Sequence, residues 1–255
     1  MLAILNSDTR MNMVYQYLKN KMECILLDDF TVLKMKFDAI LLPMSGWKDD
    51  GAMVVRGIDM KCPIEFFDMI KEDGVIICGN MTPKIKELPY RKIDLNSYEA
   101  FIQANSKLTA EGVLFLLLDN TNQGLLDLDV DLIGYGHSGK AIYELLKRIG
   151  VKIRVVRRVV LEESSDFVSV DEYLGLKPSS IIINTSITNI IDDLMIHKMD
   201  ENLIVNLVRS ASFNEALLRQ RHCRIVHAGP LPAIFSPQSA AHVMQETLMD
   251  ILYEK

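Results

Sequence analysis

Cysteine is scarce in this chain: Cys24, Cys62, Cys78 and Cys223 are the only four in 255 residues, and no two form a CxxC pair. That spacing offers neither a disulfide framework nor a zinc-ligand pattern. Three of the four follow or end apolar runs, so they read as reduced thiols in or near the core of a cytosolic protein. Long hydrophobic runs are missing as well. The longest, around residues 112–118, falls far short of the ~20 residues that cross a bilayer. The opening MLAILNSDTR has too short an apolar run and no basic segment for a signal peptide. Both absences lead us to expect a soluble cytoplasmic protein with no membrane contact. Nor is there a basic excess: 28 Lys and Arg against 34 Asp and Glu give a formal charge of −6, which argues against a broad nucleic-acid footprint. Repeats, low-complexity tracts and blocks of like charge are also lacking. What remains is an ordinary globular composition, 49% hydrophobic and 24% charged, in a chain long enough for one large domain or two small ones.

Short apolar runs alternate with amphipathic stretches from end to end. Strands are expected at residues 2–5, 24–27, 39–42 and 75–78, with helices at 10–21, 64–71 and 97–104. Thr109 is suited to cap a helix over 109–119, with Glu111 in its first turn where the helix dipole favours an acid. Strand 130–133, helix 138–149 and strands 152–156, 180–184, 203–207 and 224–227 follow, and a last helix runs from about 238 to 253. This alternation is the mark of parallel sheets covered by helices on both faces.

The strongest local signal is Gly134-Tyr135-Gly136-His137-Ser138-Gly139. It ends an expected strand and opens an expected helix, the context in which a GxGxxG carries meaning. Gly134 permits the tight turn, Gly136 lets backbone approach a pyrophosphate, and Gly139 lets helix pack on strand. A purely structural strand–helix turn is the alternative. In an NAD site an acid about 20 residues on bonds the ribose 2′-hydroxyl. Here the next strand runs into Arg157-Arg158, with no acid until Glu162. Two guanidiniums suit a 2′-phosphate, so NADP is expected over NAD; solvated strand-end arginines are the plainer reading. Asn184 and Thr185 end a further strand on the carboxyl edge, where ligands of such folds bind. Arg209 follows the next strand and suits a substrate carboxylate, or else pairs with Glu215. His227 is the one histidine placed for proton transfer, although a lone strand-end histidine is often structural. No metal site is expected. The fold class is therefore α/β: two Rossmann-like open parallel-sheet domains with a cleft between them. The N-terminal, flavodoxin-like domain covers residues 1–105 and is completed by the helix 237–255; the NAD(P)-binding domain covers 106–236.

In their order, SDTR (7–10), FDAILLPMSG (37–46), NSKLTAEG (105–112), LIGYGHSG (132–139), INT (183–185) and PLPAIFSPQSA (230–240) span nearly the whole chain. The series resembles the family of the dipicolinate synthase A chain. Its wider relatives are the D-2-hydroxyacid dehydrogenases, whose Asn-x-x-Arg segment looks like residues 206–209. The resemblance implies a two-domain NADP- or NAD-dependent oxidoreductase of spore formation. It would oxidise dihydrodipicolinate to dipicolinate together with the flavoprotein-like B chain of that synthase, in the mother-cell cytoplasm. The implied dicarboxylate needs cationic or N–H-rich anchors, for which Arg10 and Arg209 are the candidates, assisted by Ser45, Asn105 and Ser106. Two alternatives stand beside it. A hydroxyacid-type dehydrogenase would need a histidine–carboxylate pair, for which only His227 is on offer, and a non-catalytic scaffold would merely bind the dinucleotide. A homo-oligomer is left open.

Overall fold

The computed structural model describes residues 1–160 and 164–253. In chain order the elements are β1 (Leu2–Leu5), α1 (Thr9–Leu18), β2 (Cys24–Leu27), β3 (Phe37–Leu41), β4 (Ala52–Val55), β5 (Ile58–Lys61), β6 (Ile70–Cys78), α2 (Pro83–Glu87), β7 (Arg91–Asp94) and α3 (Glu99–Asn120). Next come β8 (Asp129–Ile133), α4 (His137–Arg148), β9 (Lys152–Arg157), β10 (Phe167–Ser169), α5 (Val170–Gly175), β11 (Ile181–Asn184), α6 (Asp193–His197), β12 (Leu203–Asn206), α7 (Glu215–Gln220), β13 (Arg224–His227), α8 (Leu231–Phe235) and α9 (Pro237–Tyr253). Two compact units result, Met1–Asn105 with Ser236–Lys255, and Ser106–Phe235. No helix among the described residues is long and apolar enough to cross a membrane.

The first unit holds a parallel sheet of order β2-β1-β3-β6-β7. Its strands bury both faces, and alternate residues divide between two cores. Ala3 and Leu5 join Ile40, Phe66 and Phe67 on one face, while Leu2 and Ile4 join Val14, Leu41 and Met244 on the other. That period of two is what a strand covered on both sides must show. α9 closes the second face beside α1, and the Gln245 side chain donates to the Met13 carbonyl at 3.2 Å.

The second unit is a six-stranded parallel sheet, β10-β9-β8-β11-β12-β13. Chain order runs outward from β8 to β10, then returns to β11 on the other side of β8. A crevice forms at such a reversal, at the carboxyl ends of the two strands that diverge. At the opposite, amino edge sits a buried polar hub. Asp131 is wholly inaccessible and accepts from Arg154 Nε (2.9 Å) and Nη2 (2.8 Å), Tyr173 Oη (2.9 Å), and the Ser179 amide (2.7 Å) and hydroxyl (2.8 Å). Burial opposes the charge on Arg154, yet the hydrogen bonds and charge of Asp131 outweigh it and raise the guanidinium's pKa. Burial first, and then the Asp131 carboxylate, push the Tyr173 phenol well above its usual range.

Several elements depart from the sequence expectations. The helix expected over 64–71 is a 3-10 turn, Ile64–Met69, entered from Pro63, and β6 begins at once. Phe37 pairs with Ile70 but Ala39 with Val75, so the charged residues 71–73 form a bulge in a strand, and Lys71 lies in that bulge rather than at the end of the expected helix. Two expected helices at 97–104 and 109–119 are one, α3, with Thr109 inside it rather than capping it. Burial of Phe101, Leu108, Val113 and Leu117 overrides the weak helix propensity of Asn105, Ser106 and Thr109. The β4–β5 hairpin, α2, β7, β10 and α8 lie outside the sequence expectations. α8 lies between β13 and α9 and tolerates Pro232 at its second position, where no backbone N–H is needed. All four cysteines are free, Cys62 and Cys78 are buried, and burial pushes the Cys62 and Cys78 thiols up to about 12.

The hub should govern the stability of the second unit. Asp131→Ala leaves Arg154 without its partner and should cost ~3–5 kcal/mol. Tyr173→Phe removes one hydrogen bond to a charged acceptor and should cost ~1.5–3 kcal/mol. Urea denaturation followed by circular dichroism checks both.

Candidate functional site

At the reversal point, β8 ends in Ile133 and hands over to Gly134, whose φ of 99° is left-handed. The close approach there explains the glycines. A Cβ on Gly134 would lie 2.6 Å from Thr185 Oγ1, and one on Gly139 would press into the Gly134 carbonyl. Thr185 comes from the end of β11, and its amide (2.8 Å) and hydroxyl (3.0 Å) both donate to the Ile133 carbonyl. Gly136 differs. A Cβ there would meet nothing within 4 Å, and Gly136, the N-cap residue of α4, supplies no side-chain cap. Open space above an uncapped helix start is what a pyrophosphate requires.

A cavity of about 660 Å³ extends from this turn, lined by Gly134, Gly136, Arg157, Arg158, Thr185 and Ile187 among others. The two arginines occupy different settings. Arg157 is half-buried, and its guanidinium lies over the Tyr135 ring at 5.2 Å and 6.0 Å from the Phe167 ring centre. Tyr135, Tyr143 and Phe167 form an aromatic cluster with centroids 5.0–5.8 Å apart. Arg158 is exposed and pairs with no carboxylate among the described residues. Glu162, the first acid after β9, lies outside the described residues. The cluster escaped sequence reasoning, as did the exposed apolar rim formed by Val159 (60% exposed) and Ile187 (86%). An apolar side chain in a polar loop is the signal that marks such a rim. His137 is exposed and Ser138 half-buried in the first turn of α4.

Further along the same edge, Asn184 donates to the Asn206 side chain at 2.9 Å, and both are buried. Asn184 thus spends its amide inside the protein. His227 ends β13 and is exposed, with Nδ1 at 3.3 Å from Asn206 Nδ2. No carboxylate partner stands beside it among the described residues. Arg209 is exposed and makes no ion pair among the described residues; Glu215, its expected alternative partner, is engaged by Arg219 at 2.9 Å.

Candidates in the first unit have other surroundings. Arg10 is 5% exposed, and its Nε and Nη2 close on the Asp8 carboxylate at 3.1 and 2.8 Å. The fork is filled from within the chain. Ser45 Oγ is buried without a hydrogen-bond partner among the described residues, while the Ser45 carbonyl accepts from Asn80 at 3.2 Å. Asn105 is half-buried and Ser106 buried, both within α3. A larger depression of about 860 Å³ lies at the amino edge of the second unit. Its Arg154 is engaged by Asp131 and its Lys147 by Asp166 (2.6 Å), so these two cations are spent within the fold. No metal-ligating cluster occurs among the described residues.

No protein-family model matches the chain, and no curated protein matches it in sequence. Solved structures share its fold. The dipicolinate synthase A chain from Bacillus halodurans superposes with a TM-score of 0.84 at 18% identity, over 100% of this chain and 98% of that one. Its counterpart from Bacillus subtilis does so at 0.83 and 19%, over 99% and 95%. An NADPH-dependent glyoxylate/hydroxypyruvate reductase from Sinorhizobium meliloti, solved with NADP and malonate, matches at 0.58 and 14%, over 99% and 92%. Over essentially its full length, then, this protein has the fold of the dipicolinate synthase A chain and, at lower similarity, that of the D-2-hydroxyacid dehydrogenases.

Proposed function

We propose that the protein is an NADP-dependent oxidoreductase of the dipicolinate synthase type, which oxidises dihydrodipicolinate to dipicolinate. The observation that carries this reading is the glycine turn at the β8/β11 reversal, open above Gly136 and flanked by the exposed Arg158. The same fold in the dipicolinate synthase A chain supports the choice of substrate. The flavoprotein-like B chain of such a synthase as partner, and the mother cell of a spore-former as setting, belong to the same proposal.

Bound NADP supplies the hydride acceptor in such an oxidation. The residues of this chain bind and orient. Amides at the start of α4, with Gly136 offering no side chain in the way, take the pyrophosphate. Arg158 grips the 2′-phosphate, whereas Arg157 is held against Tyr135 and Phe167 and shapes the wall. Arg209 anchors a substrate carboxylate by charged hydrogen bonds. Oxidation would remove a hydride, which the dinucleotide takes up, and a proton, which passes to solvent water, and would leave an aromatic product. Little acid–base help is then required, and holding the ring in near-attack geometry alone can be worth roughly 7–11 kcal/mol. A hydroxyacid-type reaction would draw on a histidine–carboxylate pair, and among the described residues the polar neighbour of the His227 ring is the Asn206 amide.

Mixing the protein, NADP and freshly generated dihydrodipicolinate, with and without the flavoprotein-like partner, should produce the ultraviolet absorbance of the aromatic product. Arg158→Ala should weaken NADP binding by about tenfold or more, a loss of ~1.5–3 kcal/mol, and leave NAD binding nearly untouched. Calorimetric titration of each dinucleotide checks this. Arg209→Ala should raise KM for the dicarboxylate far more than it lowers kcat, as expected when a ground-state binding contact is lost; steady-state kinetics separates the two.

A further inference from the structure

Three neighbouring strands end at one level. Asn184 of β11 is in register with Asn206 of β12, and Asn206 with His227 of β13. Residues at one register level point to the same face of a sheet, so the three side chains form a row along the carboxyl edge. Two are buried and the last reaches solvent.

The direction of each amide is dictated by backbone. The Ser186 N–H donates to Asn184 Oδ1 at 3.2 Å, which turns Asn184 Nδ2 toward Asn206, and it donates to Oδ1 there at 2.9 Å. Asn206 is fixed from a second side. The Val208 N–H donates to Asn206 Oδ1 at 3.2 Å, and Asn206 Nδ2 donates to the Val208 carbonyl at 2.9 Å. A backbone N–H cannot accept and a carbonyl cannot donate, so flipping either amide would set donor against donor and acceptor against acceptor. Asn206 Nδ2 therefore faces His227 Nδ1, 3.3 Å away, with a proton to give. A ring nitrogen that faces an N–H must present its lone pair, so the single proton of the neutral ring sits on Nε2.

We infer that Asn206 is a positioning residue which selects the Nε2–H tautomer of His227, and that His227 meets the substrate as a hydrogen-bond donor to a carboxylate rather than as a proton acceptor. A histidine oriented by a carboxylate has the reverse polarity: Nδ1–H is bound behind, and Nε2 offers a lone pair for catalysis. Here the amide row hands an acceptor request to the ring and leaves a donor pointing outward. The substrate half of this inference rests on the dicarboxylate reading above; the tautomer half does not.

Long-range proton–nitrogen NMR of the full-length protein, with 15N-labelled histidine and above the pH at which imidazole is charged, reads the tautomer directly. His227→Gln identifies the resonance by its loss. The wild type should show the Nε2–H form alone, and an Nδ1–H form or a mixture would overturn the inference without any variant needing to fold. Asn206→Asp, where a carboxylate replaces the donor, should convert the ring to Nδ1–H; retention of Nε2–H in that folded variant would also count against Asn206 as the selector. In kinetics with dihydrodipicolinate, His227→Leu should raise KM at least tenfold. His227→Gln, which keeps an N–H donor but cannot act as a base, should recover part of that loss. A fall in kcat of ~10²–10⁴ in both variants at unchanged KM would assign His227 to proton transfer and sink the donor role. If the wild type gives no dipicolinate while the tautomer stands as described, the substrate reading fails and the positioning of His227 does not.

Discussion

The contact between the glycine turn and the Thr185 hydroxyl is the constraint on which the rest of the site depends. With Oγ1 only 2.6 Å from where a Gly134 Cβ would stand, the space at the reversal point is already taken by a group that also ties β11 to the Ile133 carbonyl. Glycine is the residue that fits, at a φ that side chains resist. The helix then starts close enough to the strand that Gly139 too must lack a side chain. Everything that faces outward from this edge, from Arg158 at one side to His227 at the other, is held in place by strands fixed at that contact.

Sequence reasoning reached the parts of this arrangement that rest on local geometry. The glycine turn was legible because tight turns and close packing demand a residue type at fixed spacing. The buried strands were legible as apolar runs, and most lie within a residue or two of their expected limits. Longer-range features were hidden. Residues 71–73 carry charge at a spacing that suits a helix end, and only pairing with β3 reveals a bulge. The polar residues in the middle of α3 suggest a break that burial on either side of them abolishes. The hub around Asp131 gathers residues from positions 131, 154, 173 and 179, and no local pattern announces it.

The same division runs through the candidate ligands. Two adjacent arginines look equivalent in a string of letters, yet one lies against Tyr135 and Phe167 and the other faces solvent. Arg10 invites comparison with Arg209 as an anion anchor, but its fork is closed on Asp8. Asn184 and His227 are 43 positions apart in numbering, and nothing short of strand register links them through Asn206. Whether a polar side chain is spent within the fold or kept for a ligand is a question of neighbours, and neighbours come from topology.

The Asp131 hub has a consequence for how the second unit assembles. A carboxylate without solvent must find all its donors together, because leaving one charge of a buried pair alone is far costlier than never burying it. β8 brings the acid, β9 the guanidinium, α5 the phenol and the turn before β11 the amide and hydroxyl. Taking any one of these donors away from the finished sheet leaves the buried charge short of a partner, so the four elements depend on one another for their stability.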